Sequence, residues 1–373
     1  MTEYLKARKT DKNEIIDLIN YVFSVAYRPH DFAKLHPKAY ADEVDGMGAE
    51  HYIAKEDGVI RAVIADRLLD MAVGDMRLKV GFVGSVAVHP RSRGKGYMKE
   101  LMRNMTEDAK KMGVQLLALG GQRQRYQYFG FENAGIVYRF NLSPSNVRHA
   151  LSDVDATPFT FRKLEDGNRG DVAFVCSLNA KKLCRVERSE EDLPRIMKTW
   201  DDSCSVILKN GEPAGYCYGN FRELALLDDA DYPSVVKALF LCKNETVSIW
   251  LPAHEREKIA FLSSVCESYQ ITCDEKISVL DWQAVVSAFL TLKSRITTLT
   301  DGEKTFLVDG ECFRVSVKRN RVSVGPAVPD ESTVRLGHNE AERRFFDLDG
   351  FLTPGDTGNW FPLPFFIDTP DTF

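Results

Sequence analysis

Three cations and two glycines crowd into one short stretch, Arg91, Arg93, Gly94, Lys95 and Gly96. Val86, Ala87 and Val88 before them read as an apolar strand, and the residues after them open a helix. Backbone N–H groups at a helix start make an anion site. Glycine lets the backbone come close to a phosphate, and the cations add charge. The chemistry this spacing suits is the grip of a diphosphate-bearing cofactor. Two common phosphate motifs are excluded. A Walker A loop needs Gly-Lys-Ser/Thr, but Tyr97 follows Gly96. A dinucleotide fingerprint needs a third glycine three residues after the second, and that position is Lys99.

The elements that must position this loop are legible around it. Met98, Leu101, Met102, Met105, Ala109 and Met112 recur at helical spacing, with charged residues on the other side. Gly113 is a helix stop, and Val114 to Leu119 reads as a buried strand broken by Gly120-Gly121. Strand, loop, helix and strand are the unit that a phosphate loop requires.

Arg91-x-x-Gly94-x-Gly96 after a valine-rich strand resembles the acetyl-CoA loop of GNAT-type N-acetyltransferases. Tyr126, three residues, then Gly130-Phe131 resembles a second motif of that family. The resemblance implies acetyl-CoA as co-substrate and no metal. Its diphosphate would lie on the run Arg91, Arg93, Gly94, Lys95, Gly96, Tyr97, Met98 and Lys99, and its pantetheine arm would pair with Val86, Ala87 and Val88. Tyr126 would protonate the leaving thiolate, with Tyr128 as the rival for that role. Gly121 stands where related enzymes carry a polar residue touching the cofactor, and Gln122 is the residue that would compensate.

The chain has 373 residues, 44% hydrophobic and 28% charged, the composition of a globular protein of two or three domains. A net charge of −5 argues against nucleic acid as a partner. No apolar run approaches a membrane span and no secretory leader opens the chain, so no membrane partner and a cytoplasmic location are expected. The eight cysteines form no Cys-x-x-Cys pair, and scattered buried thiols are expected.

Ser143-Pro144-Ser145-Asn146 reads as a linker, which closes a first domain at 1–145. Residues 205–216 echo the strand–turn–strand of 52–63, so a second lobe is expected over 146–275. Val247 to Pro252 falls where its cofactor strand would lie, yet the next residues, 253–258, hold no glycine and two carboxylates. This lobe should bind no cofactor. Residues 276–373 add a helix over 282–292 and an Asp309-Gly310 hairpin. The tail, Trp360 to Phe373, is apolar and proline-stiffened and should dock rather than fray.

Active lobe, silent lobe and a final small domain resemble the enhanced-intracellular-survival (Eis-like) acetyltransferases, whose last domain is sterol-carrier-protein-like. The fold class so implied is mixed α/β (α+β), two tandem GNAT-like lobes followed by an α+β domain. Residues 24–50 would wall the acceptor cleft by the same analogy. The resemblance also implies that the terminal carboxylate of Phe373 is the general base, that the acceptor is a primary amine of aminoglycoside or lysine type, and that the protein is a homo-oligomer, a hexamer. The alternative is a module that binds CoA or a lipid without transferring anything.

Overall fold

The computed structural model describes residues 1–44, 47–243, 245–352 and 357–373. The first lobe runs β1 (Thr2–Lys6), α1 (Lys12–Ala26), two single turns α2 (Phe32–Leu35) and α3 (Pro37–Tyr40), then β2 (Glu50–Glu56), β3 (Val59–Val73) and β4 (Met76–Val88). After the basic loop come α4 (Tyr97–Lys111), β5 (Leu116–Leu119), α5 (Arg123–Tyr126) and β6 (Glu132–Ala134). The sheet order is β1-β2-β3-β4-β5-β15-β6, where β15 (Glu275–Val279) arrives from far along the chain.

Alternation drives this sheet. One face, with Ile53, Val63, Phe82 and Ala87, packs on α1; the other, with Tyr52, Ile64, Val83 and Leu117, packs on the Leu101, Met102, Met105 and Ala109 stripe of α4. The α4 stripe is the one that the helical spacing predicts. Asp57-Gly58 closes the β2–β3 hairpin, with both residues at positive φ.

The second lobe holds β7 (Val137–Leu142), α6 (Pro144–Ala150), β8 (Phe159–Lys163), α7 (Arg169–Asn179), β9 (Cys184–Val186) and α8 (Leu193–Ile196). It continues with β10 (Cys204–Lys209), β11 (Glu212–Tyr218), β12 (Glu223–Leu226), α9 (Tyr232–Lys243), β13 (Val247–Pro252), α10 (Arg256–Val265) and β14 (Tyr269–Thr272). Its sheets are ordered β12-β11-β10-β8 and β13-β7-β14, while β9 pairs with the end of β3 in the first lobe. The last region adds α11 (Trp282–Ile296), β16 (Gly302–Val308), β17 (Glu311–Lys318), β18 (Arg321–Pro326), β19 (Val334–Leu336), α12 (His338–Phe346) and α13 (Asp349–Leu352). Its sheet order is β18-β17-β16-β19, and α11 shares the largest core with α1 and the first sheet.

Three sequence expectations need correction. Ser143 to Asn146 is no linker: the Ser143 hydroxyl accepts from the Asn146 amide and caps α6. The second lobe's counterpart of the cofactor strand is β12 rather than β13, because β12 holds the place in its sheet that β4 holds beside β3. The loop after β12 carries Asp228, Asp229 and Asp231 and no glycine, three carboxylates at the place the basic glycine loop holds in the first lobe. Of the cysteines, Cys184, Cys204, Cys217 and Cys266 are buried, but Cys242 is exposed and Cys176, Cys273 and Cys312 are half-buried.

The chain also crosses the expected domain boundaries. β15 completes the first sheet between β5 and β6, and β7 serves the second lobe. Among the described residues no helix is long and apolar enough to cross a membrane.

Candidate active site

The site begins with a mismatch in strand length. β4 and β5 pair in parallel from Val80–Leu116 to Val83–Leu119, and there β5 ends. β4 runs on to Val88, paired with β3 alone, so among the described residues one edge of Ser85 to Val88 has no strand neighbour. An unpaired edge offers N–H and C=O groups to an extended ligand. A bulge at this point, with Ser85 at φ 50°, turns the strand.

A cleft of about 690 Å³ lies along that edge. Val86 and Val88 line one wall, the loop and helix start from Ser92 to Lys99, all but Lys95, another, and Arg125, Tyr126 and Phe129 the third. Ala87 points the other way, into the core against α1, as strand alternation requires. Gly94 and Gly96 both sit at φ 81°, a conformation that L side chains rarely adopt. Among the described residues no acceptor is found for the amides of Gly94, Lys95, Gly96, Tyr97, Met98 and Lys99. These are free donors at the positive end of a 15-residue helix.

The cations of the loop do not act alike. Arg93 lines the cleft. Arg91 lies outside its lining, on a short turn where its amide donates to His89 Nδ1. Lys95 places its ammonium 2.5 Å from Glu56 Oε1, so its charge is spent on a carboxylate beside the loop. Tyr97 is buried under the sheet, within 3.3 Å of the Thr2 hydroxyl. Met98 and Lys99 line the cleft, and the Lys99 ammonium also lies over the ring of Tyr128.

Tyr126 ends α5 and is buried in the cleft wall, its ring edge-on to Phe131. Burial pushes its phenol up from the ordinary value, which keeps the proton on oxygen at neutral pH. Gly121, at φ 144°, lies directly against this ring: a Cβ there would come within 2.8 Å of Tyr126 Cε2. Gly121 thus makes room for the tyrosine. Gln122 precedes α5 and is exposed. Tyr128 is 69% exposed and outside the cleft lining.

On the opposite face of β4 sits the end of the chain. Phe373 is only 7% exposed. Its carbonyl carbon and oxygen lie about 2.9 Å from the position a Cβ would take on Gly84, one residue before the bulge. Its ring stands between His36 and Tyr40. Beside it the Tyr40 hydroxyl lies 2.8 Å from His51 Nε2 and 2.7 Å from the Ser85 hydroxyl. Burial draws His51 down to about 4, so the ring is neutral, and its Nδ1–H donates to the Ala49 carbonyl. Of the 24–50 segment expected to wall the acceptor side, Ala26 at the end of α1 and Tyr27 just after it line the cleft, and α3 contributes Tyr40 to the tail's surroundings. Residues 45 and 46 lie outside the described residues.

Sequence reasoning missed several of these groups. Val22 and Phe23 of α1 read as core but also line the cleft. Phe129 sits within the Tyr126 to Phe131 motif and Arg125 directly before it, so both could have been found from it. His36, Tyr40 and His51 carry no spacing signal, because the sheet brings them together from separate elements.

Comparison with known proteins agrees with this architecture. Residues 3–134 match the acetyltransferase (GNAT) domain family, so the first lobe is an acyltransferase domain. No curated protein matches the chain in sequence. Among solved structures, a GCN5-related N-acetyltransferase from Kribbella flavida is similar over 100% of both chains at 14% identity, with a TM-score of 0.67. A probable N-acyltransferase from Enterococcus faecalis V583 is similar over 92% of this chain and 90% of that one, at 13% identity and a TM-score of 0.65. Eis1 from Mycobacterium abscessus covers 91% of this chain and 88% of its own, at 14% identity and a TM-score of 0.60. At such identities the likeness is one of fold.

Proposed function

We propose that the chain moves the acetyl group of acetyl-CoA to a primary amine. One observation carries this reading: the open edge of β4 leads from the free amides at the start of α4 to the bulge where the C-terminal residue is buried. A diphosphate on the amides of Gly94 to Lys99, with Arg93 beside it, sets the cofactor's phosphate end. An extended pantetheine arm then follows Val86 to Val88 and brings the thioester to the bulge. The amine reaches the same point from the Phe373 side of the strand.

The reaction is a direct transfer. The Phe373 carboxylate takes a proton from the acceptor ammonium, and the freed amine attacks the thioester carbonyl. The new C–N bond forms, the C–S bond breaks, the Tyr126 hydroxyl gives its proton to the departing sulfur, and the second proton of the attacking nitrogen passes to the phenolate so formed. The Tyr126 phenol is protonated at neutral pH, as a proton donor must be, and its place in the cleft wall supports this role. Holding both groups about the thioester contributes much of the rate.

The third region supports the Eis-like reading as a structural brace rather than a lipid carrier. Its interior is filled by aromatic rings, with Phe345 stacked on Phe361 at 4.3 Å and Phe306 edge-on to Phe345 at 5.1 Å. An aminoglycoside or lysine acceptor, and a hexameric assembly, belong to the same reading.

The test is thiol release from acetyl-CoA across a panel of amines, with the acetylated nitrogen identified by mass spectrometry. Release that depends on an amine supports the proposal. Tight CoA binding with no release on any amine would favour a binding module.

A further inference from the structure

The second lobe has no glycine loop, yet it contributes the most thoroughly buried ion cluster near the chain's end. Arg188 is completely buried, two residues beyond β9. Its Nε and Nη2 donate to the two carboxylate oxygens of Asp371 at 3.0 and 2.7 Å. Its Nη1 and Nη2 donate to the Glu223 carboxylate at 2.9 and 3.0 Å. Lys182 joins Glu223 to Asp368, at 3.0 Å from the latter. Buried Lys38 of the first lobe donates to the carbonyls of Pro370 and Thr372, and the Trp200 indole of the second lobe donates to the Thr372 hydroxyl.

A buried ion cluster is poor value as a stabiliser, because apolar residues of similar volume often do as well or better. Its usual merit is fixed geometry, and a bidentate Arg–carboxylate pair fixes it best. Here the pair ends two residues before the terminus, so Phe373 is tethered within about 7 Å of Asp371. The other end is registered to the catalytic sheet. β9 pairs with Met71 to Val73 of β3, and β3 pairs with Gly84 of β4. The clamp and its target are therefore built on one sheet.

We propose that Arg188, through Asp371 and Glu223, is a positioning residue that holds the Phe373 carboxylate at the β4 bulge, so that the silent lobe serves as a clamp for the catalytic tail. This inference rests on the proposed role of Phe373 as base.

The experiment uses the full chain and four variants: Asp371→Asn, Arg188→Met, Arg188→Lys and a chain lacking Phe373. Carboxypeptidase A reports tail release as free phenylalanine, and steady-state kinetics and calorimetry report kcat and acetyl-CoA Kd. Asp371→Asn changes no volume, so it keeps the test alive should Arg188→Met fail to fold. The clamp predicts phenylalanine release at least tenfold faster in Asp371→Asn and Arg188→Met than in the parent. It also predicts kcat lower by about 10²-fold, Kd for acetyl-CoA within twofold, and partial recovery in Arg188→Lys. Protection and kcat both unchanged would overturn it, as would a fall in kcat with the tail still protected, or a released tail with full kcat. The shortened chain separates the two ideas. Full activity without Phe373 refutes the base assignment, whereas an inactive shortened chain beside clamp variants of parental activity refutes only the clamp.

Discussion

Gly84→Ala is the most pointed perturbation the structure offers. A Cβ at this position would lie 2.3 Å from Phe373 Cδ1 and 2.9 Å from its carbonyl carbon and oxygen. Ordinary carbon contacts are about 3.5–4.0 Å, so the terminal residue must retreat by more than about 1 Å. Gly84 does not occupy the left-handed region, and the substitution brings no backbone strain of its own. A displacement of this size at a reacting group costs on the order of 10²-fold in rate, or about 2.7 kcal/mol in barrier. The assay is kcat by thiol release beside Kd for acetyl-CoA by calorimetry. The expected result is kcat lower by about 10²-fold with Kd unchanged. Gly81→Ala is the control. It clashes in the same strand, with Asp66 and Leu117 on the other face, and should cost stability with less loss of kcat. Parental kcat in Gly84→Ala would refute the reasoning, because the carboxylate would then have no need of its place at the bulge.

Other predictions follow from the same contacts. Tyr126→Phe should lower kcat by about 10²–10⁴-fold and leave acetyl-CoA affinity intact; an equal loss of both would make the ring a binding element. Lys95→Ala should weaken acetyl-CoA binding about three- to fivefold, because it bares the Glu56 carboxylate beside the phosphate loop, and Glu56→Gln in the same chain should restore it. Calorimetry on the double-mutant cycle decides, and additive losses would contradict this. Stability should fall as pH rises from about 6.5 to 9. Burial opposes charge on His338, but Glu342 and Asp309 raise it to about 9, so its contribution is full below the unfolded value near 6.5 and lost through 9. Unfolding free energies from urea titrations should drop by on the order of 1–2 kcal/mol from pH 6 to 10, with a flatter profile in His338→Gln.

What the sequence shows and what it hides divide along physical lines. The α4 stripe, the Asp57-Gly58 and Asp309-Gly310 turns and the basic glycine loop are local patterns, each fixed by a period or a backbone requirement within a few residues. The docking of Phe373 was legible because an apolar, proline-stiffened tail has one economical fate. Arg188, Asp371 and Glu223 were not legible, since each is an ordinary charged residue until three distant segments meet. β15 was hidden for the same reason: nothing near Glu275 announces that it completes a sheet begun at Thr2. Lys95 reads as a phosphate ligand in sequence, and only the hairpin that brings up Glu56 shows its charge already engaged.

The central claim is that the free amides of Gly94 to Lys99 hold the diphosphate while the thiol lies at the β4 bulge. A crystal structure with coenzyme A measures this directly. The account predicts phosphate oxygens within hydrogen-bond distance of those amides, the arm along Val86 to Val88, and the sulfur within reach of the Tyr126 hydroxyl. Coenzyme A bound elsewhere, or with its sulfur on the far side of the strand from Tyr126, would contradict it.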